Sequence, residues 1–292
     1  MNKFVKVLLW IVGIIGAAVV LFLIPGAGKQ PELEIAKEFD LNPLVKLVTI
    51  GPFDLSITKA TVYLMAATFV CVVLAIVVSR SIKPVPGRFQ ITMEALYGLA
   101  RDGIVGSVMK TGQDTWFPYI GAVFFFILIS NLIGLLPLPL GEPTSYFPYR
   151  TFTYYTATAN LWVTLGLALC TFVFTHYAGI RKNGPYRYVK NWAPASAPPV
   201  LKQVIWFIHA ISEIFRLISL SVRLFANMLA GHAILAVFFA MALLFQSYLA
   251  AVALQGFSVT IYLFEIFVAF IQAFIFAILS AVYIGGALDQ DH

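Results

Sequence analysis

Charged residues are scarce in this sequence. Asp, Glu, Lys and Arg make up only 11% of its 292 residues, whereas 61% are hydrophobic and the mean hydropathy is +0.91. Soluble domains typically carry about 25% charged residues. The composition therefore excludes an ordinary soluble domain and predicts a polytopic membrane protein.

Three further absences narrow the function. The net charge of +6 is not accompanied by a basic run with interleaved aromatics, which argues against a nucleic-acid partner. The two cysteines, Cys71 and Cys170, lie in apolar segments without a CxxC motif, so neither a metal site nor a disulfide framework is predicted. The sequence also contains no GxxxxGK[ST] loop for ATP, and no cofactor is expected.

Long apolar stretches dominate what is present. A membrane-spanning helix takes about 20 residues. The stretches of that length or more are Phe4–Ile24, Ala60–Ser79, Phe117–Leu136, Thr151–Ile180 and Gln203–Ile284. These predict an all-α polytopic membrane protein with five or six membrane helices.

The last stretch is too long for a single span. A continuous helix over 203–249 would measure on the order of 70 Å against roughly 30 Å of hydrocarbon, so it must tilt strongly or break. A second helix over Ser258–Ile284 is expected to follow after Gln255-Gly256 and to run back beside the first. Residues 200–286 are therefore predicted to form a hairpin of two long, strongly tilted helices.

Basic residues orient the chain. Arg80, Lys83, Arg88, Arg101 and Lys110 follow the second stretch, and Arg181, Lys182, Arg187 and Lys190 follow the fourth. Loops rich in Lys and Arg lie on the cytoplasmic side, so both loops are expected inside. Residues 88–110 predict an amphipathic helix at the cytoplasmic face, with Phe89, Met93, Leu96, Ala100 and Ile104 on its apolar side.

The domain prediction has three parts. Residues 1–28 form an N-terminal hydrophobic segment, either a signal peptide or a retained anchor, and the length of its apolar core favours the anchor. Residues 29–56 are expected outside. Residues 57–292 are expected to form the membrane domain.

Polar residues recur in the C-terminal apolar stretch. Five of them are spaced by four, three, seven and four residues, which places them along one stripe of a helix. They are His209, Glu213, Arg216, Arg223 and Asn227. His232 follows on the opposite face, and Glu265 and Gln272 share a face of the last helix. Polar groups at membrane depth face protein or water, so this pattern indicates a hydrated path or a protein contact.

Arg223 stands out within the stripe. It is followed by no other Lys or Arg up to His292. A guanidinium stays protonated, and its placement at the centre of a membrane segment costs roughly 2.5 to 3.5 kcal/mol. Such a charge predicts a functional role, the alternative being a structural ion pair or a side chain that reaches the interface.

Two motifs carry a resemblance to a known family. Ser219–His232 (SLSVRLFANMLAGH), together with Phe264–Phe276 (FEIFVAFIQAFIF), closely resembles subunit a of the F-type ATP synthase. Shorter segments are similar to the same family, namely Asn160–Ala168 (NLWVTLGLA), Ser130–Pro137 (SNLIGLLP) and Asn42–Val45 (NPLV). The resemblance covers about residues 40–287, and its C-terminal motif is highly specific.

This resemblance implies a stator subunit with two proton half-channels, which couples proton translocation to rotation of the c-ring and to ATP synthesis. Arg223 would face the essential carboxylate of the c-ring, with Asn227 and Gln272 at the same interface. His232 and Glu265 match an interacting acid and base in the outer half-channel. The subunit would not be an enzyme itself, because nucleotide chemistry would take place in partner subunits.

The inner half-channel departs from the family pattern. His209 occupies a position where many members have a glutamate, and Glu213, one turn later, is expected to substitute for it. Arg216-Leu217 replaces a frequent Arg-Pro, and Arg216 is expected to pair with Glu213. Asn131, Thr158, Asn160 and Thr164 either hold helices together or line the outer half-channel.

The resemblance also implies partners and a location. The expected partners are the c-ring, the b subunits of the peripheral stalk, other synthase subunits, the lipid bilayer and protons. The titratable histidines favour protons over sodium. A bacterial plasma membrane is favoured over an organellar inner membrane. The rival function is a self-contained secondary ion transporter or channel, in which the polar stripe would line its own cavity, and a passive scaffold is a third.

Overall fold

The computed structural model describes residues 43–45, 49–50, 53–54, 56–136, 155–193, 198–244 and 248–289. The predicted N-terminal segment 1–28 and most of the outside segment 29–56 lie outside these residues. Everything described belongs to one compact unit, Ile35–His292.

Two pairs of very short strands precede the helices. Strand β1 (Pro43–Val45) pairs antiparallel with β4 (Ile57–Thr58), and β2 (Thr49–Ile50) pairs antiparallel with β3 (Phe53–Asp54). The first helix begins directly after β4, where the Thr58 side chain accepts a hydrogen bond from the backbone N–H of Thr61. Such a cap satisfies one of the free N–H groups of a helix start.

The remainder of the described chain is helical. In chain order the helices are α1 (Lys59–Ser81), α2 (Arg88–Gly98), a π-helical segment (Leu99–Val105), α3 (Gly106–Val108), α4 (Gln113–Gly134), a 3₁₀ turn (Ala157–Ala159), α5 (Leu161–Asn183), α6 (Pro185–Lys190), α7 (Pro199–Leu244) and α8 (Tyr248–Leu288). Within the described residues, five of them (α1, α4, α5, α7 and α8) are long and apolar enough to cross a membrane. The predicted all-α polytopic fold is confirmed.

The segment 88–110 is helical but not one regular α-helix. The π-helical segment between α2 and α3 has wider turns than an α-helix, which shifts the register of the side chains that follow. Consequently both Ile104 and Val105 are buried in the core, whereas Phe89 at the start of the predicted apolar face is exposed.

The two long helices differ from prediction in one respect. Helix α7 runs unbroken for 46 residues, about 69 Å, so of the two predicted alternatives the structure shows an unbroken helix, which must run obliquely through the membrane. The predicted start of the second helix after Gln255-Gly256 is wrong, because α8 begins at Tyr248 and continues through both residues. A glycine inside a helix costs only about 1 kcal/mol, less than the loss of backbone hydrogen bonds in an apolar setting.

Helix α8 packs against α4, α5 and α7, and α1 packs on α4. The contact face of α8 is lined by small residues four positions apart, Ala269, Ala273, Ala277 and Ala281, all fully buried. The small residues Ala269, Ala273 and Ala277 predict a face that another helix can approach closely, and in the structure the approaching helices belong to the same chain. Ala226 and Ala230 on α7, small residues of the same kind, are exposed.

Hydrogen bonds between distant segments define the two ends of the helix bundle. At one end the Thr111 hydroxyl donates to Asp289, and the Asn183 side chain donates to the carbonyl of Ala287. At the other end the Tyr262 hydroxyl donates to the carbonyl of Leu135. The two basic loops and the end of α8 therefore lie at the same end, as the orientation deduced from charge requires.

Candidate functional site

Arg223 lies on α7 with its side chain exposed. It forms no hydrogen bond or ion pair with any residue that the structure describes. Large apolar side chains are exposed on either side of it along α7, including Ile218 and Val222. The charge is therefore not used in an ion pair within the described part of the chain, and it is available to a group outside it.

Close to Arg223, a polar contact joins the two long helices. The Asn227 side chain, one turn along α7, donates a hydrogen bond of 3.2 Å to the side-chain oxygen of Gln272 on α8. Gln272 is buried and Asn227 is half-buried. The predicted proximity of these two residues is thus present in the structure, and the contact fixes α7 against α8 beside Arg223.

His232 and Glu265 are both buried where α7 meets α8. The Glu265 carboxyl group lies directly against Gly231, so close that a Cβ at this position would overlap its Oε1 atom. Among the described residues, neither Glu265 oxygen nor Nδ1 of His232 has a hydrogen-bond partner. Buried polar atoms are nearly always paired, so each unpaired one requires an explanation, such as a chemical role or a bound water.

The remaining polar candidates hold helices together or cap a helix. Asn131 on α4 accepts a hydrogen bond from Thr158 at 2.6 Å and donates to the carbonyl of Ala269 on α8. Thr164 on α5 is 3.1 Å from the Ser221 hydroxyl on α7. Asn160 caps α5 by accepting from the backbone N–H of Trp162. Of these residues, Asn131 contacts α8 one turn from Glu265.

A second polar cluster lies nearer the end with the basic loops. The Glu213 carboxylate is buried, and its Oε1 atom is 3.2 Å from Nε2 of His209 and 2.5 Å from Nη1 of Arg216. The Arg216 guanidinium also lies over the Tyr283 ring of α8, 5.3 Å from its centre. The predicted pairing of Arg216 with Glu213 is present, and His209 joins the same carboxylate.

These groups line a cavity of about 340 Å³. Its walls include His209, Glu213 and Arg216 of α7, Tyr188 of α6, Tyr283 of α8 and Asp289. The side chains of His209 and Asp289 are 29% and 32% exposed, so the cavity reaches the surface at the basic end. Glu213 is therefore a buried carboxylate connected to that surface.

Several wall residues were not predicted from the sequence. Tyr188 is one of them, and its hydroxyl lies 2.8 Å from Nδ1 of His176, a residue of α5 just behind the wall. Burial raises the pKa of Tyr188 to about 12, so this hydroxyl keeps its proton at neutral pH. The Tyr188 ring packs directly on Gly179, where any side chain would collide with it. No regular spacing in the sequence indicates that these residues lie near His209.

Arg223 thus lies between two groups of titratable side chains on one helix. Glu213 precedes it by ten residues, about 15 Å, and His232 follows it by nine, about 14 Å. Glu265 is beside the second group and the cavity beside the first. No group of three or more His, Cys, Asp or Glu residues suited to a metal ion occurs in the described ranges.

Comparison with known proteins gives a consistent result. The family described as ATP synthase A chain matches residues 60–285. ATP synthase subunit a of Rubrobacter xylanophilus is 40% identical over 237 residues, which are 80% of this chain and 85% of the relative. The subunit a of Maricaulis maris is 32% identical over 262 residues, 88% of this chain and 97% of the relative. The subunit a of Chlorobium phaeobacteroides is 36% identical over 256 residues, which are 84% of this chain and 69% of the relative.

Proposed function

The chain belongs to the ATP synthase A chain family, and on this basis we propose that Arg223 separates two proton paths, one at Glu265 and His232 and the other at Glu213 and His209. As a member of this family it is the proton-translocating subunit of the membrane sector. It works there with the c-ring, the b subunits and other subunits of the synthase.

The exposed position of Arg223 is the single observation that carries the proposal. A cation inside a membrane needs a counter-charge, and no described residue of the chain supplies one. A c-ring carboxylate brought alongside supplies it, and the guanidinium favours the ionised form of that carboxylate. The arriving carboxylate therefore releases its proton at Arg223 and can only be protonated again after leaving it.

The outer path is assigned to Glu265 and His232. Both are buried and next to the contact of α7 with α8, and their unpaired atoms can exchange protons with a neighbour without first breaking a hydrogen bond within the described chain. Gln272 and Asn227 lie between this pair and the level of Arg223 and position the two helices. Asn131 supports α8 from the other side and is a candidate lining residue of the same path.

The inner path is assigned to Glu213 with His209, in the cavity that reaches the surface at the basic end. Arg216 pairs with Glu213 and lies over Tyr283, which supports a mainly positioning role for this second arginine. The short distance from His209 to Glu213 supports proton exchange between the two. Glu213 thereby takes the place of the glutamate that many relatives have one turn earlier.

Location and chemistry follow from the membership. The chain is a multi-pass membrane protein with bacterial relatives, and we assign it to a bacterial plasma membrane with its basic loops in the cytoplasm. Nucleotide chemistry is assigned to the partner subunits, because the sequence lacks a GxxxxGK[ST] loop. No observation favours a self-contained transporter, in which the arginine would be expected to face a cavity within the chain.

Replacement of Arg223 tests the proposal. In inverted membrane vesicles that contain the intact complex, Arg223→Ala is expected to abolish ATP synthesis and ATP-driven proton pumping, because nothing then forces the rotor carboxylate to release its proton. Arg216→Ala is the matched control, an arginine on the same helix that already has a carboxylate partner, and it should retain measurable pumping. Normal ATP-driven pumping by the Arg223→Ala complex would contradict the assigned role.

A further inference from the structure

A second carboxylate lies on the wall of the inner cavity. Asp289 follows the end of α8, and together with Glu213 it is one of two acidic residues among the described residues that line this cavity. The two differ in environment, because Glu213 is buried whereas the Asp289 side chain is 32% exposed. One carboxylate is therefore inside the cavity and the other is where the cavity meets the surface.

Contacts from both basic loops hold Asp289 at this position. Its Oδ1 atom accepts a hydrogen bond of 2.8 Å from the Thr111 hydroxyl, and the Lys182 ammonium lies 3.9 Å from the same oxygen. The neighbouring Ala287 carbonyl accepts from the Asn183 side chain. All of these contacts engage Oδ1 or the backbone, and no hydrogen bond with a described residue occupies Oδ2.

The groups around Asp289 suit it to hand protons between Glu213 and water. The charged and titratable side chains that share the cavity or contact Asp289 are Lys182, Tyr188, His209, Glu213, Arg216 and Tyr283. Glu213 is held by two cationic or basic partners deep in the cavity, whereas Asp289 has one lysine at the limit of an ion pair. A proton that leaves the inner path therefore meets an acceptor at the exit that is exposed to solvent.

Taking the proposed function as its basis, we propose that Asp289 is the exit carboxylate of the inner path, which exchanges protons with Glu213 across the cavity and with the cytoplasmic water. During release, the O–H bond on Glu213 breaks, water in the cavity relays the proton, and an O–H bond forms on Asp289 while Glu213 recovers its pairing with Arg216. Asp289 then transfers the proton to water and regains its negative charge. In the pumping direction the same steps run in reverse.

The alternative is that Asp289 only fastens α8 to the two loops, and conservative variants separate these roles. Asp289→Asn keeps the shape and the oxygen that accepts from Thr111 but cannot carry a proton. Asp289→Glu keeps the carboxylate. Thr111→Val and Lys182→Met remove the partners that hold Asp289 and leave its carboxylate in place, so they serve as matched controls.

The measurement is ATP-driven proton pumping and ATP synthesis by the intact complex in inverted vesicles, whose outer medium contacts the cytoplasmic face. At low buffer concentration, Asp289→Asn is expected to lower the proton flux about tenfold. This loss is smaller than that expected for an indispensable acid–base residue, because water can still accept protons directly from the cavity. A high concentration of a small mobile buffer should restore most of the flux. Asp289→Glu should remain near the unsubstituted rate, as should Thr111→Val and Lys182→Met.

Assembly is checked by the amount of c-ring that co-purifies with each variant. Unchanged flux in Asp289→Asn would overturn the inference, and so would a loss that buffer fails to restore or that Thr111→Val reproduces. Glu213→Gln, measured in the same vesicles, should lower flux regardless of buffer. If Glu213→Gln leaves the flux intact, the proposed inner path itself is wrong, so the two failures are distinguishable.

Discussion

At the residue scale, Arg223 and Arg216 carry the same side chain but lie in different surroundings. Arg216 is paired with Glu213 and covers the Tyr283 ring, whereas Arg223, two turns further along α7, is exposed and has no partner among the described residues. Since both guanidinium groups stay charged, only the unpaired one can attract a new carboxylate without first breaking an ion pair.

Gly231 matters at the same scale because it is the point where α7 touches the Glu265 carboxyl group. A side chain here would occupy the space of the Oε1 atom. The glycine thus lets the buried acid approach the helix that carries His232, the neighbouring residue in the chain.

We predict that Gly231→Ala lowers proton flux through the complex on the order of ten- to hundredfold, because the added methyl group displaces the Glu265 carboxyl group from its position. Gly256→Ala in α8 is the matched control, since its Cβ would meet nothing within 4 Å. The measurement is ATP-driven pumping in inverted vesicles with equal amounts of assembled complex. Equal flux in the two variants would show that the close contact has no role in the outer path.

At the scale of elements, α8 is the helix on which the bundle is built. Its alanines at positions 269, 273, 277 and 281 are fully buried, and it packs against α4, α5 and α7. Small residues allow helices in a membrane to approach closely, where dispersion contacts replace the hydrophobic effect as the driving force. The same helix carries Glu265 and Gln272, so its packing sets the position of the outer path.

We predict that Ala273→Leu destabilises the folded subunit by about 1–3 kcal/mol, because the larger side chain has no room in the helix contact. Ala253→Leu makes the same change on an exposed position of α8 and should have little effect. The two variants are compared by heating the purified complex in detergent and measuring the temperature at which this subunit is lost from it. Similar stability of both variants would mean that the buried alanine face does not hold the bundle together.

At the scale of the whole molecule, the described residues place two groups of titratable side chains, the proposed inner and outer paths, on opposite sides of one exposed cation. The cavity with Glu213 and Asp289 lies towards the end with the basic loops, and Glu265 with His232 lies further towards the other end. A proton cannot pass directly between them without crossing the level of Arg223. In the proposed function a rotor carries it around, which agrees with membership of the synthase family.

We predict that the face of α7 around Arg223 contacts the c-ring in the intact complex. In a background in which Cys71 and Cys170 are replaced by serine, Ala226→Cys should form a disulfide with a cysteine placed beside the essential carboxylate of a ring subunit. Phe69→Cys on α1, which is also exposed, should not. The cross-linked product is identified by its mass on denaturing gels. If only the α1 variant formed the cross-link, the rotor would contact α1 and not the face of α7 around Arg223, and the prediction would be wrong.

Four features follow from the sequence alone, namely the membrane class of the protein, the approximate number of spans, the orientation expected from the basic loops, and Arg223 as a candidate functional residue. These depend on local properties. The length of an apolar stretch and the presence of a permanently charged arginine can be read from the sequence without knowledge of any tertiary contact. The family resemblance added roles for Asn227, Gln272, His232 and Glu265, and the structure places the first two in contact.

The face of each helix that meets another helix is known only from the folded structure. The buried alanines of α8, the contact of Glu265 with Gly231, and the meeting of Tyr283 and Asp289 with the Glu213 cavity all depend on how helices rotate and cross. Spacing along one helix fixes which residues share a face, but the partner of that face is set by packing between segments far apart in the chain. For this reason Arg223 could be found in the sequence as a candidate, whereas the proposed exit at Asp289 could not.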